Sequence, residues 1–239
     1  MTSDKSSLLY WYPMVKDLPI PQPKTEIMKT DIDKMLWIDF IDGKTVPFNF
    51  AELQTICRGI GYPLFIRTDL ASGKHEWKNT CFIEKEDSLL QNLRNIIEFS
   101  FVADIVGLDI NAIIVREYIQ MKTLFTAFWG EMPVNPEIRF FVKHKEVLCW
   151  HWYWVEDSIK NPSVENWREL LSNEAYISGN ETLLLTKDAE KVAGVFDGYW
   201  SVDFCKAEDG RWILIDLAEG KVSWHPKDCP IKINEDKHG

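Results

Sequence analysis

Apolar and polar positions change period several times along this chain, and each change predicts an element. EDSLLQNLRNIIEFSFVADIVG (86–107) carries apolar residues at 89, 90, 93, 96, 97 and 101, which is one face of an amphipathic helix. FAELQTICRG predicts a second helix, capped by Asn49 and stopped at Gly59 or Gly61. Shorter helical patterns run from Val164 to about Leu171 and from about Lys187 to Phe196. Strand patterns occupy LFIRTD (64–69), TCFIE (80–84) and AIIVREYIQ (112–120), the last interrupted by Arg116 and Glu117. MLWIDFIDGKTVPF (35–48) is predicted as a hairpin about Asp42-Gly43, and EIRFFVKHKEVLCWHWYW (137–154) as a longer one turning near His144-Lys145. The prolines of LPIPQPKTEIM (18–28) predict a polyproline-like arm entering a strand, LASGKHEW (70–77) a polar loop, and residues 225–239 a loosely attached tail.

The last strong pattern is also the most informative chemically. WSVDFCKAEDGRWILIDLAEG (200–220) reads as two strands joined by a tight Asp209-Gly210 turn, each delivering one acid, Asp203 or Asp216, from an apolar run. A carboxylate in such a strand loses hydration unless a cation meets it, and two of them level across a hairpin can share a hard ion such as Mg²⁺, which takes oxygen ligands and bridges phosphates. The alternative is an ordinary hairpin with both acids on its solvent face.

Composition narrows the function classes. The 239 residues carry a net charge of −10, with 46% hydrophobic and 27% charged residues, which fits one large domain or two lobes and disfavours duplex nucleic acid as a partner. Five scattered cysteines (Cys57, Cys81, Cys149, Cys205, Cys229) form no CxxC pair, so reduced, mostly buried thiols are expected rather than a disulfide framework or a zinc site. Without a leader-like or membrane-length apolar run, a cytoplasmic location is expected. Trp150, Trp152 and Trp154 alternate with Cys149, His151 and Tyr153, so three indoles would share a strand face, to stack on a ring or, as preferred, to pack in the core. His75 and His151 are isolated histidines, a kind more often structural than ligating.

Taken in order, GYPLFIRTDLASGKHEW, IIVREYI, EIRFFV, WSVDF and WILIDLAEG resemble the successive motifs of the ATP-grasp superfamily, across about residues 18 to 222. The resemblance implies an α+β, two-lobed ATP-grasp fold of mostly antiparallel sheets with packed helices and an ATP cleft between lobes. Residues 1–111 would form the N-terminal lobe with its extended arm, and 112–239 the C-terminal lobe with hinge strand and metal-binding hairpin. Arg67 occupies the position of the family's nucleotide-binding lysine, as in an arginine-substituted bacterial and phage branch; Asp69 is its nearest rival partner. Lys74 would supply a movable charge in a phosphate-covering loop. Around Arg116, Glu117 and Ile119 the hinge would meet adenine and ribose, although Arg116 stands where relatives carry an acid. Glu137 and Arg139 match an acidic-x-Arg strand start, which implies ATP contact for Glu137 and makes Arg139 the best candidate for a catalytic residue, offsetting charge on the moving phosphoryl group. Asp203 and Asp216 match the metal-binding acids. The family's following Asn is Ala218 here, with Glu219 as a replacement ligand if the backbone turns at Gly220.

The implied activity is Mg-ATP-dependent ligation, in which a carboxylate is activated as an acyl phosphate and attacked by an amine or similar nucleophile. Some eukaryotic members of the superfamily are assembly chaperones, so an ATP-binding assembly chaperone or interaction protein without turnover is the alternative, and modification of an RNA or peptide end a third. Partners are thus a nucleotide and a small-molecule, peptide or macromolecular acceptor, with no membrane.

Overall fold

Ser7 opens the first element. Its hydroxyl accepts from the Leu9 N–H and caps helix α1 (Leu8–Val15), whose Leu8, Trp11 and Val15 are buried on one side. This computed structural model describes residues 4–103, 110–174, 177–227, 229 and 231. After α1 come β1 (Thr25–Lys29), α2 (Lys34–Ile41), α3 (Phe50–Ile60), β2 (Leu64–Thr68), β3 (Phe82–Ile83), α4 (Leu89–Ala103) and β4 (Ala112–Glu117). A small β5 (Phe125–Ala127) and β6 (Met132–Val134) pair precedes β7 (Glu137–Lys143), β8 (Glu146–Trp152), α5 (Trp167–Glu174), α6 (Gly179–Ala193), β9 (Tyr199–Lys206) and β10 (Trp212–Glu219).

Two antiparallel four-stranded sheets organise the molecule, ordered β1-β4-β2-β3 and β10-β9-β7-β8. One face of the first sheet packs Ile66, Ile113 and Val115 against α2, α3 and α4. In the second, Ile138, Phe140, Val202 and Phe204 turn toward α6. Strand alternation therefore sends Glu137, Arg139, Ser201 and Asp203 to the opposite face, away from that core. The expected boundary between residues 111 and 112 is crossed twice: β4 pairs within the first sheet, and α1 joins the core of the second with Trp11 1% exposed.

Three local expectations are corrected. Residues 35–48 begin with a helix, not a hairpin: the Asp33 carboxylate caps the Met35 N–H at 2.8 Å, and Trp37 and Phe40 bury at i, i+3 spacing. Asp42-Gly43 then ends that helix, with Gly43 at φ +77°. Before the expected proline-rich arm, residues 8–15 are helical. The helix expected from about Lys187 starts at Gly179, because Ser178 and Glu181 form a complete capping box. The tail from residue 225 is anchored where it is described, with His225 and Cys229 buried. The stretch expected to extend α4 to residue 107 lies, beyond 103, outside the described residues.

Candidate functional site

Between the sheets the N-terminal strands aim two guanidiniums at β10. Phe65 pairs with Arg116, and Arg67 lies two residues further along the same face of β2. A bulge between Leu214 and Asp216 throws the Ile215 carbonyl out of the β10 ladder, and Arg116 Nη1 donates to it at 2.7 Å while its Nε donates to Thr25 Oγ1 at 3.2 Å. Arg67 Nη1 reaches Asp216 Oδ1 at 3.3 Å, and its Nε donates to the Thr68 carbonyl at 3.1 Å. Burial, reinforced by the neighbouring Arg67 charge, pushes Arg116 down to about 10, which leaves it protonated at neutral pH. Asp69, the expected rival for Arg67, is committed elsewhere, accepting from Ser7 Oγ at 2.8 Å and from the Asn111 N–H at 3.1 Å.

Across the cleft, register rather than sequence proximity assembles the acids. Asp203 is the direct cross-strand partner of both Arg139 and Asp216, and the bulge is what brings Asp216 level with it. Arg139 grips Asp203 as a fork, Nε to Oδ1 at 2.8 Å and Nη2 to Oδ2 at 2.6 Å, with the pair nearly buried at 13% and 6% side-chain exposure. Lys74 Nζ lies 3.2 Å from the Tyr153 hydroxyl, 4.3 Å from that ring's centroid and 4.0 Å from Glu137 Oε1. Arg139 lies over the same Tyr153 ring, at 4.7 Å. Burial opposes the charge on Lys74 and Arg139, yet Glu137, Tyr153 and Asp203 together outweigh it at Lys74, and Asp203, Tyr153 and Glu137 together at Arg139, raising both above their ordinary range. Glu137 is moved the other way: burial, aided by Asp203, pushes its carboxyl up to about 7 against the pull of Lys74.

An apolar wall completes the cleft. Trp77 stacks on Phe82 at 5.7 Å and contacts Phe65 and Tyr118, and Tyr118, Ile119, Met121 and Met132 line the same space. Among the described residues the Tyr118 and Ile119 peptide groups form no hydrogen bond, so the hinge after β4 offers an open donor and acceptor edge. The buried Asn135 Oδ1, also in the lining, has no partner among the described residues. Over the cleft, the loop after β2 turns at Gly73 (φ +61°) into a short 3₁₀ turn, Lys74–Asn79. Gly130 N–H donates to the His75 carbonyl at 3.0 Å, and His75 stacks on Phe128 at 4.2 Å, which docks this loop on the β5–β6 hairpin.

A cleft with an open hinge edge, a covering loop and neighbouring basic and acidic clusters invites comparison with known proteins. The model of an ATP-grasp domain family, family 3 of its clade, matches residues 57–235. The chain belongs to this ATP-grasp family. Among solved structures the fold is similar to Cdc123 from Schizosaccharomyces pombe, at TM-score 0.56 and 15% identity over 98% of this chain and 90% of that one. It is also similar to D-alanine–D-alanine ligase from Bacillus anthracis complexed with ATP, at TM-score 0.52 and 12% identity, over 98% of this chain and 60% of the ligase. Among curated proteins no sequence matches. The two-lobed α+β architecture is the ATP-grasp fold.

Within that ATP-grasp fold, Arg67, Lys74, Arg116, Glu117, Ile119, Glu137, Asp203 and Asp216 all line one cleft. Arg139 joins them through its fork to Asp203. Glu117 is held at the edge, its carboxylate accepting the Lys24 N–H at 3.2 Å. Glu219 is not brought to the cluster: it pairs in register with Trp200, on the other face from Asp203, and meets Lys5 at 3.7 Å. The expected turn at Gly220 does not redirect it. Nor do three indoles share a face, since Trp150 and Trp152 pack beside the α6 core and Trp154 joins Trp167 and Phe128 in another cluster. Tyr153, central to the geometry, escaped the sequence reading; its signal was the alternation that places it on the Arg139 side of β8. In the described residues no helix is long and apolar enough to cross a membrane.

Proposed function

We propose that this chain binds Mg-ATP in the cleft and uses it to activate a carboxylate as an acyl phosphate, which an amine or similar nucleophile then attacks. The observation that carries this reading is two ion pairs at the cleft, Arg67 with Asp216 between the sheets and Arg139 with Asp203 within the second sheet. Each guanidinium holds a carboxylate where it would hold phosphate, and each carboxylate holds a guanidinium where it would hold metal. The donor set fits Mg²⁺, which is commonly bound by one or two carboxylates plus phosphate oxygens. Held by Asp203 and Asp216, the ion would supply Lewis-acid polarisation of those oxygens.

The residues then have distinct tasks. Arg67 and Lys74 neutralise phosphate oxygens, and Glu137 keeps Lys74 protonated. Arg139 offsets charge on the phosphoryl group as it leaves the ADP oxygen for the carboxylate oxygen. The Tyr118–Ile119 edge and the Trp77 wall seat adenine, Arg116 braces the hinge against β10, and Glu117 meets ribose. The loop carrying Lys74 excludes water. With arginine at position 67, we assign the chain to the arginine-substituted bacterial and phage branch, acting in the cytoplasm on a small-molecule, peptide or macromolecular acceptor.

One observation favours a second reading. With Glu219 turned to Lys5 and Ala218 lacking a side-chain donor atom, Asp203 and Asp216 stand at the cleft without the expected third metal ligand, which suits an ATP-binding assembly or interaction protein without turnover. Incubation with Mg-ATP and pooled carboxylates and amines separates the two. Acceptor-dependent ADP release supports ligation; ATP-dependent capture of a protein without ADP release supports assembly; absence of nucleotide binding at millimolar Mg-ATP defeats both.

A further inference from the structure

Although the cysteines are scattered in sequence, the fold gathers two of them with two histidines. Cys149 and His151 are alternate residues of edge strand β8, opposite Phe141 and Arg139 of β7, and so share one face. His225 and Cys229 come from the segment after β10, which folds back over that face. The His225 ring lies on Phe141 at 3.9 Å and edge-on to His151 at 5.0 Å, and Cys149 Sγ is 3.4 Å from His225 Nε2. The Cys229 N–H donates to the Pro226 carbonyl at 3.2 Å, which closes the turn between the second two side chains. One ligand atom from each of the four lies within 4.8 Å of the others.

We propose that Cys149, His151, His225 and Cys229 form a structural zinc site. In a tetrahedral site with Zn–S of about 2.3 Å and Zn–N of about 2.0 Å, ligand atoms sit roughly 3.3–3.8 Å apart, so side-chain adjustment of about 1 Å converts this cluster into one. Two thiols and two imidazoles select a borderline-soft ion such as Zn²⁺ and not the Mg²⁺ suited to Asp203 and Asp216. Protein fills all four positions, the mark of a closed structural site rather than a catalytic one.

Exposure along the segment gives a second argument. Val222 is 71% and Trp224 48% exposed, whereas His225 and Cys229 are 8% and 3% exposed. The apolar side chains that ordinarily seat a segment face solvent here, and the metal-ligating types face inward. Apart from the His225 ring on Phe141, little apolar packing seats this stretch, and a shared ion would supply the missing tie. Bound zinc would pin His225 and Cys229 to β8 and fix the strand that backs Arg139.

The full-length protein, stripped with a chelator and titrated with Co²⁺, tests this. The expected result is one cobalt per chain with a thiolate-to-cobalt charge-transfer band and the intense visible bands of tetrahedral cobalt. Cys149→Ser or Cys229→Ser should remove roughly half of the charge-transfer intensity, the double variant all of it, and Cys81→Ser none. Protein isolated without chelator should hold one zinc by elemental analysis. An octahedral spectrum, wild-type protein that takes up neither ion, or a Cys149–Cys229 disulfide found by non-reducing peptide mapping would overturn the proposal, and each is read on wild type even if a variant fails to fold.

Discussion

Replacing Asp203 with alanine strands the Arg139 guanidinium over the C-terminal sheet. Two charge-assisted bonds at 2.8 and 2.6 Å disappear, and the arginine, 13% exposed, keeps its contact with the Tyr153 ring and the weaker attraction of Glu137. Breaking a buried ion pair by removing one partner costs about 3–5 kcal/mol, and the residual solvent access of Arg139 puts this case near about 3 kcal/mol. For a chain of this size that lowers Tm by about 6–12 °C. Adding Arg139→Met should recover part of the loss, since no buried charge is then left alone. The same substitution has an opposite effect on anions. With its internal partner gone, Arg139 becomes available to phosphate, so metal-free ATP should bind Asp203→Ala more tightly than wild type, while the gain on adding Mg²⁺ should shrink. Calorimetric titrations of both proteins with ATP, with and without Mg²⁺, read this directly. A Tm within about 2 °C of wild type together with unchanged magnesium dependence would refute the reasoning that Asp203 alternates between guanidinium and metal.

Other expectations follow from the same geometry. Because Glu137 binds its proton more tightly in the folded chain, its contribution to stability is present below about 4.5 and is lost as pH rises toward about 7; Glu137→Gln should flatten the fall in Tm over that window, and parallel pH profiles would count against the placement. A Cβ on Gly130 would overlap the Glu76–Trp77 backbone, so Gly130→Ala should release the loop, raise protease sensitivity in residues 70–79 and weaken Mg-ATP binding. Trp11→Ala should cost about 3–5 kcal/mol by denaturant unfolding if α1 is part of the C-terminal core, and little if it were a detachable arm. Arg116→Met removes the brace to the Ile215 carbonyl and should weaken nucleotide binding while leaving the zinc-type cobalt spectrum untouched.

That the candidate residues would gather in one cleft was partly legible, because most are polar exceptions in apolar strands. Arg67, Arg116, Asp203 and Asp216 each break or end a hydrophobic run, and a charge so placed must meet a partner, whereas Glu137 opens its strand and was marked only by the motif it resembles. The failures have local and long-range causes. In MLWIDFI the apolar density hides whether the period is 2 or 3.6, and Asp-Gly serves a helix stop as well as a hairpin. Ser178 and Glu181 spelled a capping box that fixes the true start of α6, a signal present but unread. Glu219 depended on strand register, and the bulge at Ile215 shows how one extra residue decides which acids meet. The gathering of Cys149 with Cys229 is set by a chain reversal that no spacing rule contains.

Arg67 with Asp216 and Arg139 with Asp203 are proposed to mark a Mg-ATP site. A calorimetric titration of the wild-type chain with Mg-ATP tests it most directly, because ligand bound to the native state also raises Tm with occupancy. Saturable one-site binding is expected, strengthened by Mg²⁺ and sharply weakened in Asp216→Ala. Absence of heat and of any Tm shift at millimolar Mg-ATP would contradict it.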